Sequence, residues 1–149
     1  MTYVTAIGGV KVLIKSRPDD FWSKIQDSIN SFPAAAPDIY TSITEDADPS
    51  KRHVKYGSAS QNIKISTEKI DENSQEKFAY TIPEGDILQQ YKVNRFQAAI
   101  LYPNDKWVEW NWTYNYDQAK TDLAHRFDAL FAKIVVETLA KLDNHIQKP

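Results

Sequence analysis

Between residues 107 and 116 the chain alternates with a period of two: Val108, Trp110, Trp112, Tyr114 and Tyr116 against Glu109, Asn111, Thr113 and Asn115. Successive side chains on a strand point to opposite faces, so the pattern predicts a strand with one polar face and one dry, aromatic face. Leu, Ile and Val fill most cores, whereas Trp and Tyr bury best where an N–H or O–H reaches a polar partner. Such a face predicts the wall of a partly wet cavity.

The rest of the chain surrounds that wall with further strands. Residues 4–15 are rich in β-branched side chains, with Val10, Val12 and Ile14 on one face, and Gly8-Gly9 is expected to bend or bulge the strand. Ser16 is read as an N-cap for a helix that has Pro18 in its first turn and Phe21, Trp22, Ile25 and Ile29 on its buried stripe. The run from Phe32 through Pro33 to Pro37 is expected to end the helical stretch. Strands are then predicted at 38–44, 52–59, 62–70, 76–82, 91–102 and 107–116, joined by short polar turns that imply antiparallel neighbours. From about residue 119 to 146 the period changes to that of a helix: Leu123, Phe127, Leu130, Phe131, Ile134, Val135, Thr138, Leu139 and Leu142 make one broad stripe. The expected architecture is α+β. A seven-stranded antiparallel sheet, with two short helices after its first strand, is gripped by one long C-terminal helix around a hydrophobic cavity.

Composition removes several function classes. With 149 residues the chain fits a single domain, 1–149, large enough to bury roughly 70% of its unfolded surface. Its 18 Lys and Arg against 20 Asp and Glu, spread evenly, form no basic stripe for a phosphate backbone, so nucleic acid is not an expected partner. No stretch approaches the ~20 apolar residues of a membrane span, and the absence of Cys agrees with a cytoplasmic location. Of the three histidines, His125 and His145 are twenty residues apart on one helix and His53 is on a strand. They cannot share a metal, and nothing in the chain calls for a cofactor. Glu84-Gly85-Asp86 reads as turn chemistry rather than a carboxylate pair, Gly supplying an unusual φ and Asp bonding nearby N–H groups.

Three strings also resemble a known family: Val12 to Trp22, running from the first strand into the first helix; Pro83-Glu84-Gly85-Asp86 followed by Tyr91-Lys92; and Val108 to Tyr114. Together with the closing helix they resemble the birch pollen allergen superfamily of plants (pathogenesis-related class ten, START-like), and more narrowly its major latex protein branch. The sequence departs from that pattern where members carry a glycine-rich loop between the second and third strands, since Glu45 to Ser50 contains no glycine. The prolines that often precede the last helix are also missing. The resemblance implies a cavity for a small apolar plant molecule: a terpenoid, sterol, phenolic or hormone-like compound. Some members have become enzymes of alkaloid or terpenoid metabolism.

With the aromatic face turned inward, the expected ligand-lining residues are Trp110, Trp112 and Tyr114, then Phe78, Tyr80 and Ile82, then Phe96, Ala98 and Ile100, closed by Phe127, Leu130, Phe131 and Ile134 of the helix. A curved sheet held against one helix is expected to enclose more space than these side chains fill. Buried phenols there could hydrogen-bond a carbonyl or donate to an enolate oxygen. Two functions follow: carriage of a small hydrophobic metabolite, or a cofactor-free cyclase or isomerase acting on a reactive terpenoid or alkaloid intermediate. No catalytic residue is singled out. A hydrocarbon-and-hydroxyl lining would favour carriage, and an inward Lys, His, Glu or Asp beside the aromatic wall would favour catalysis.

Overall fold

Residues 1–148 are described in a computed structural model of the chain. Its strands are β1 (Tyr3–Leu13), β2 (Tyr40–Glu45), β3 (Lys51–Tyr56), β4 (Ile65–Asn73), β5 (Lys77–Gly85), β6 (Val93–Leu101) and β7 (Trp107–Asp117). They form one antiparallel sheet in the order β1-β7-β6-β5-β4-β3-β2. Helices α1 (Pro18–Gln26) and α2 (Ser28–Ala35) separate β1 from β2, α3 (Asp86–Tyr91) lies between β5 and β6, and α4 (Thr121–Gln147) follows β7. At 1.5 Å per residue α4 is about 40 Å long, and it buries one face against the sheet.

Parity along each strand decides what faces α4. On β7 the buried set is Val108, Trp110, Trp112 and Tyr114; on β5 it is Phe78, Tyr80 and Ile82; on β6 it is Phe96, Ala98 and Ile100, with Val93 buried beyond the register shift between Asn94 and Gln97. Phe127, Leu130, Phe131, Ile134, Val135, Thr138, Leu139 and Leu142 face them from α4. The hydrophobic core lies between these two surfaces, and α1 and α2 add Phe21, Trp22, Ile25 and Phe32 to it.

Several local expectations are corrected. β1 pairs with β7 in unbroken register through Gly8 and Gly9, so those glycines make no bulge. Gly8 is required for another reason: a Cβ there would come within 2.3 Å of Trp112 Nε1 and 2.6 Å of Asp128 Oδ1. Ser16 does not cap α1, whose N-cap is Arg17. Instead Asp143 of α4 accepts from Lys15 N at 2.8 Å, Ser16 N at 2.9 Å and Ser16 Oγ, tying the helix to the chain that leaves β1. Pro33 lies within α2, which runs on to Ala35. The helix is so short that the missing N–H costs a single bond.

The Glu84-Gly85-Asp86 turn opens into α3, a helix not expected from the sequence. Gly85 takes φ 154°, a region that disfavours a side chain, and a Cβ there would also meet Ser66 Cβ at 2.6 Å. Asp86 accepts from Lys64 N and Ile65 N at 2.9 and 3.1 Å, the local bonding expected of it.

Candidate functional site

The interior divides into two unlike halves. Under the first half of α4 the aromatic rings pack edge to face, with centroids 4.7 Å apart for Tyr114 and Phe127, 4.9 Å for Phe96 and Phe131, and 4.9 Å for Trp112 and Phe131. The polar atoms of this half are used: Trp112 Nε1 donates to Asp128 Oδ1 at 2.9 Å, and the Tyr114 hydroxyl donates to the same oxygen at 3.4 Å. Burial and the Asp128 charge push the Tyr114 phenol well above its ordinary range. This half is solid core.

The second half encloses a chamber. Phe32 of α2, Tyr40 and Ile43 of β2, Arg52 and Tyr56 of β3, and Glu68 of β4 line one side. Phe78 and Tyr80 of β5, Ile100 of β6, Trp110 of β7, and Phe131 and Ile134 of α4 line the other. Its volume is about 20 Å³, enough for one or two water molecules and far below the roughly 300–1,000 Å³ of sites for drug-sized ligands. The expected excess of space over side chains is therefore corrected, because the rings of Trp110, Phe131, Tyr80 and Phe32 occupy most of it.

What distinguishes the chamber is its polarity. Arg52 and Glu68 stand opposite each other in the β3–β4 register, each only 7% exposed, with Arg52 Nε 2.8 Å from Glu68 Oε1. The guanidinium also donates from Nη1 to Ser28 Oγ at 2.7 Å and lies 5.2 Å from the Phe78 ring centre, a cation–π contact. A buried ion pair costs several kcal/mol per ion in desolvation and is weak evidence for a stabilising role.

The hydroxyls can be assigned by following protons. Thr138 Oγ1 donates to Ile134 O at 2.6 Å, so in the 2.9 Å bond between Tyr40 Oη and Thr138 Oγ1 the donor is Tyr40. Tyr56 shares its bond with Ser66 Oγ at 3.0 Å. Trp110 Nε1 is buried with no hydrogen-bond partner among the described residues. It is near enough to Tyr80 Oη to favour the phenolate slightly, but not placed for a hydrogen bond. Burial, with Glu68 close by, drives the phenols of Tyr40, Tyr56 and Tyr80 far above their ordinary range. At neutral pH all three are proton donors, not bases.

Of the residues expected to line a pocket, Trp110, Phe78, Tyr80, Ile100, Phe131 and Ile134 border the chamber. Trp112, Tyr114, Phe96 and Phe127 belong to the solid half, and Ile82, Ala98 and Leu130 are buried away from the chamber. Sequence reasoning missed Arg52 and Glu68 as site residues. A signal was available: Arg52 is in phase with Val54 and Tyr56, and Glu68 with Ser66 and Ile70, which puts one charge on the inward face of each strand. No three His, Asp or Glu side chains gather as a metal site among the described residues, and no helix there is long and apolar enough to cross a membrane.

This architecture has known counterparts. The chain is 28% identical, over 93% of its length and 92% of the relative's, to MLP-like protein 423 of Arabidopsis thaliana. A truncated norcoclaurine synthase from Thalictrum flavum superposes with a TM-score of 0.75 at 10% identity, covering 100% of this chain and 98% of that one. Major latex-like protein 151 from Panax ginseng gives 0.75 at 13% identity, covering 95% and 97%. The profile of the Pathogenesis-related protein Bet v 1 family matches residues 8–149. An aromatic-walled sheet closed by one long helix, matched over nearly its whole length by that profile, makes this chain a member of the Bet v 1 family.

Proposed function

We propose that the protein binds a small, largely apolar plant metabolite with one oxygen acceptor, of terpenoid or simple phenolic type, in the chamber beside Trp110, acting in the cytoplasm. The observation that carries this reading is the Trp110 N–H. A buried donor without an acceptor costs on the order of 1–3 kcal/mol, a cost that a ligand oxygen seated against it removes. The aromatic and aliphatic lining supplies the apolar contact, at about 25 cal/mol per Å² buried. A chamber of 20 Å³ favours one-ring molecules over sterols, and even these require the wall to yield. Phe32 and Tyr40 form its least anchored side: α2 has only eight residues and contains Pro33, and β2 is an edge strand with a register shift between Tyr40 and Ser42.

Titration of the intrinsic tryptophan fluorescence with oxygenated monoterpenoids and phenolic aldehydes, beside their hydrocarbon counterparts, tests the reading. The oxygenated compounds are expected to bind about 5–10-fold more tightly, the worth of one neutral hydrogen bond. Equal affinities would refute it. A second reading, a cofactor-free cyclase or isomerase, is favoured by one observation: a carboxylate, Glu68, stands inside the aromatic wall.

A further inference from the structure

We propose that Glu68 is a proton-transferring base in this chamber, acting on a carbonyl compound with an acidic C–H next to the C=O, whose oxygen is held by Trp110 Nε1 and Tyr80 Oη. This rests on the chamber being the binding site and adds a reaction and a substrate class to it.

The assignment follows from which protons and lone pairs are uncommitted. The Tyr40 proton is given to Thr138, and Tyr56 is bonded to Ser66. On the ligand-facing wall this leaves the Trp110 N–H and the neighbouring Tyr80 hydroxyl as donors, side by side with ring centroids 6.5 Å apart. Two neutral donors on one wall suit an oxygen that gains negative charge, as in enolate formation. The one carboxylate among the lining residues is Glu68. Arg52 occupies its Oε1, and no side chain among the described residues bonds its second oxygen. No other lining residue can take a proton: Arg52 stays protonated, the phenols hold theirs, and the remainder are hydrocarbon or indole.

Arg52 explains how the step can run in a buried place. The C–H bond of the substrate breaks, its proton goes to Glu68, and the electron pair forms a C=C bond while the carbonyl π pair moves onto oxygen. Before the transfer the chamber holds guanidinium and carboxylate; afterwards it holds guanidinium, neutral acid and enolate. Its net charge is zero at both stages, so the desolvation cost of the ion pair is met once, on folding, and no new net charge is buried during the reaction. Return of the proton from Glu68 to the γ-carbon of an unsaturated enolate completes an isomerisation with no change in composition and no cofactor. Arg52 is a positioning residue in this scheme, since it acts through Glu68.

The test uses cyclohex-3-enone, a one-ring β,γ-unsaturated ketone, with conversion to the conjugated cyclohex-2-enone followed by ultraviolet absorbance and binding followed by tryptophan fluorescence. The protein is expected to accelerate conversion over buffer by about 10²–10⁴-fold, the usual reach of a positioned base. Glu68→Gln should lower kcat at least tenfold with KM changed less than threefold. Because that variant leaves the Arg52 charge unmatched, Glu68→Asp is measured beside it. It keeps the ion pair but withdraws the base by one methylene, and is expected to be folded with a kcat between those of the other two. For Arg52, the readout is the split between kcat and KM: in the protein that remains folded Arg52→Met should lower kcat with KM changed less than threefold, where a purely structural role would only lower the amount of folded protein. Binding without acceleration would overturn the role of Glu68 and leave the chamber as a binding site. Absence of both would overturn the two readings together, and full activity in a folded Glu68→Asp or Glu68→Gln would overturn the assignment alone.

Discussion

Trp110 and Trp112 are two positions apart on one strand, face the same way and are both buried, yet their indole nitrogens have opposite fates. Trp112 Nε1 is bonded to Asp128, whereas Trp110 Nε1 has no partner. The same truncation should therefore have different costs. Trp112→Phe removes a charge-assisted bond and strands part of the Asp128 carboxylate, while Trp110→Phe removes a donor that was itself unfavourable. Urea unfolding is expected to show Trp112→Phe about 1–3 kcal/mol less stable than Trp110→Phe. A second residue-scale outcome concerns Asp143, whose carboxylate holds two backbone N–H groups and the Ser16 hydroxyl. Asp143→Asn loses the charge and one acceptor, and should cost about 2–4 kcal/mol in the same measurement. Residue identities at the site were only partly legible in the sequence. The inward parity of Trp110, Tyr80 and Phe78 could be read from alternation, but which polar group lacks a partner depends on contacts such as Trp112 with Asp128, made between elements that no local pattern connects.

At the scale of elements, the chamber wall is uneven. β5, β6 and β7 each have a strand on both sides, whereas β2 pairs with β3 alone and α2 has only eight residues, with Pro33 among them. Hydrogen exchange is expected to be fastest, among the elements lining the chamber, at the amides of α2 and β2, and to slow there when ligand binds. Uniform protection across β2 and β6 would contradict a yielding α2–β2 wall. The bond from Tyr40 to Thr138 joins that wall to α4 across the interior. Thr138→Val keeps the shape but removes the link, so it should cost about 1 kcal/mol and speed ligand association in stopped-flow fluorescence. Strands and the long helix were visible in the sequence because each repeats its period over many residues. α3 was not: six residues give less than two turns, too few for a 3.6-residue period to show, although the unusual φ of Gly85 that precedes it was expected.

For the whole molecule, the buried phenols set the alkaline limit of stability. Tyr40, Tyr56 and Tyr80 have folded-state pKa values raised above the unfolded value near 10. With Tyr114, whose phenol is raised likewise, the stability they contribute is complete below pH 10 and is lost as pH rises above it, at up to about 5 kcal/mol per pH unit for four protons. Unfolding midpoints in urea at pH 9, 10 and 11 should therefore fall steeply, and Tyr40→Phe with Tyr80→Phe should flatten the slope. The acid side should be gentler. The depressed pKa values of Asp38, Asp46 and Glu109 arise from exposed contacts with Lys141, His53 and Lys11, so the small stability they give is present above the ordinary carboxylate range and fades as pH falls through it.

The pairing of β1 with β7 has a consequence for how the molecule is made. Leu13 meets Trp107 and Tyr3 meets Asp117, so the first strand synthesised waits for the last. During translation the meander from β2 to β6 can assemble hairpin by hairpin, but β1 has no lasting neighbour until β7 leaves the ribosome, and Asp143 cannot fasten α4 until later still. The nascent chain thus carries an open, aromatic-faced half-sheet through the later part of its synthesis, the interval in which a chaperone would have most to cover.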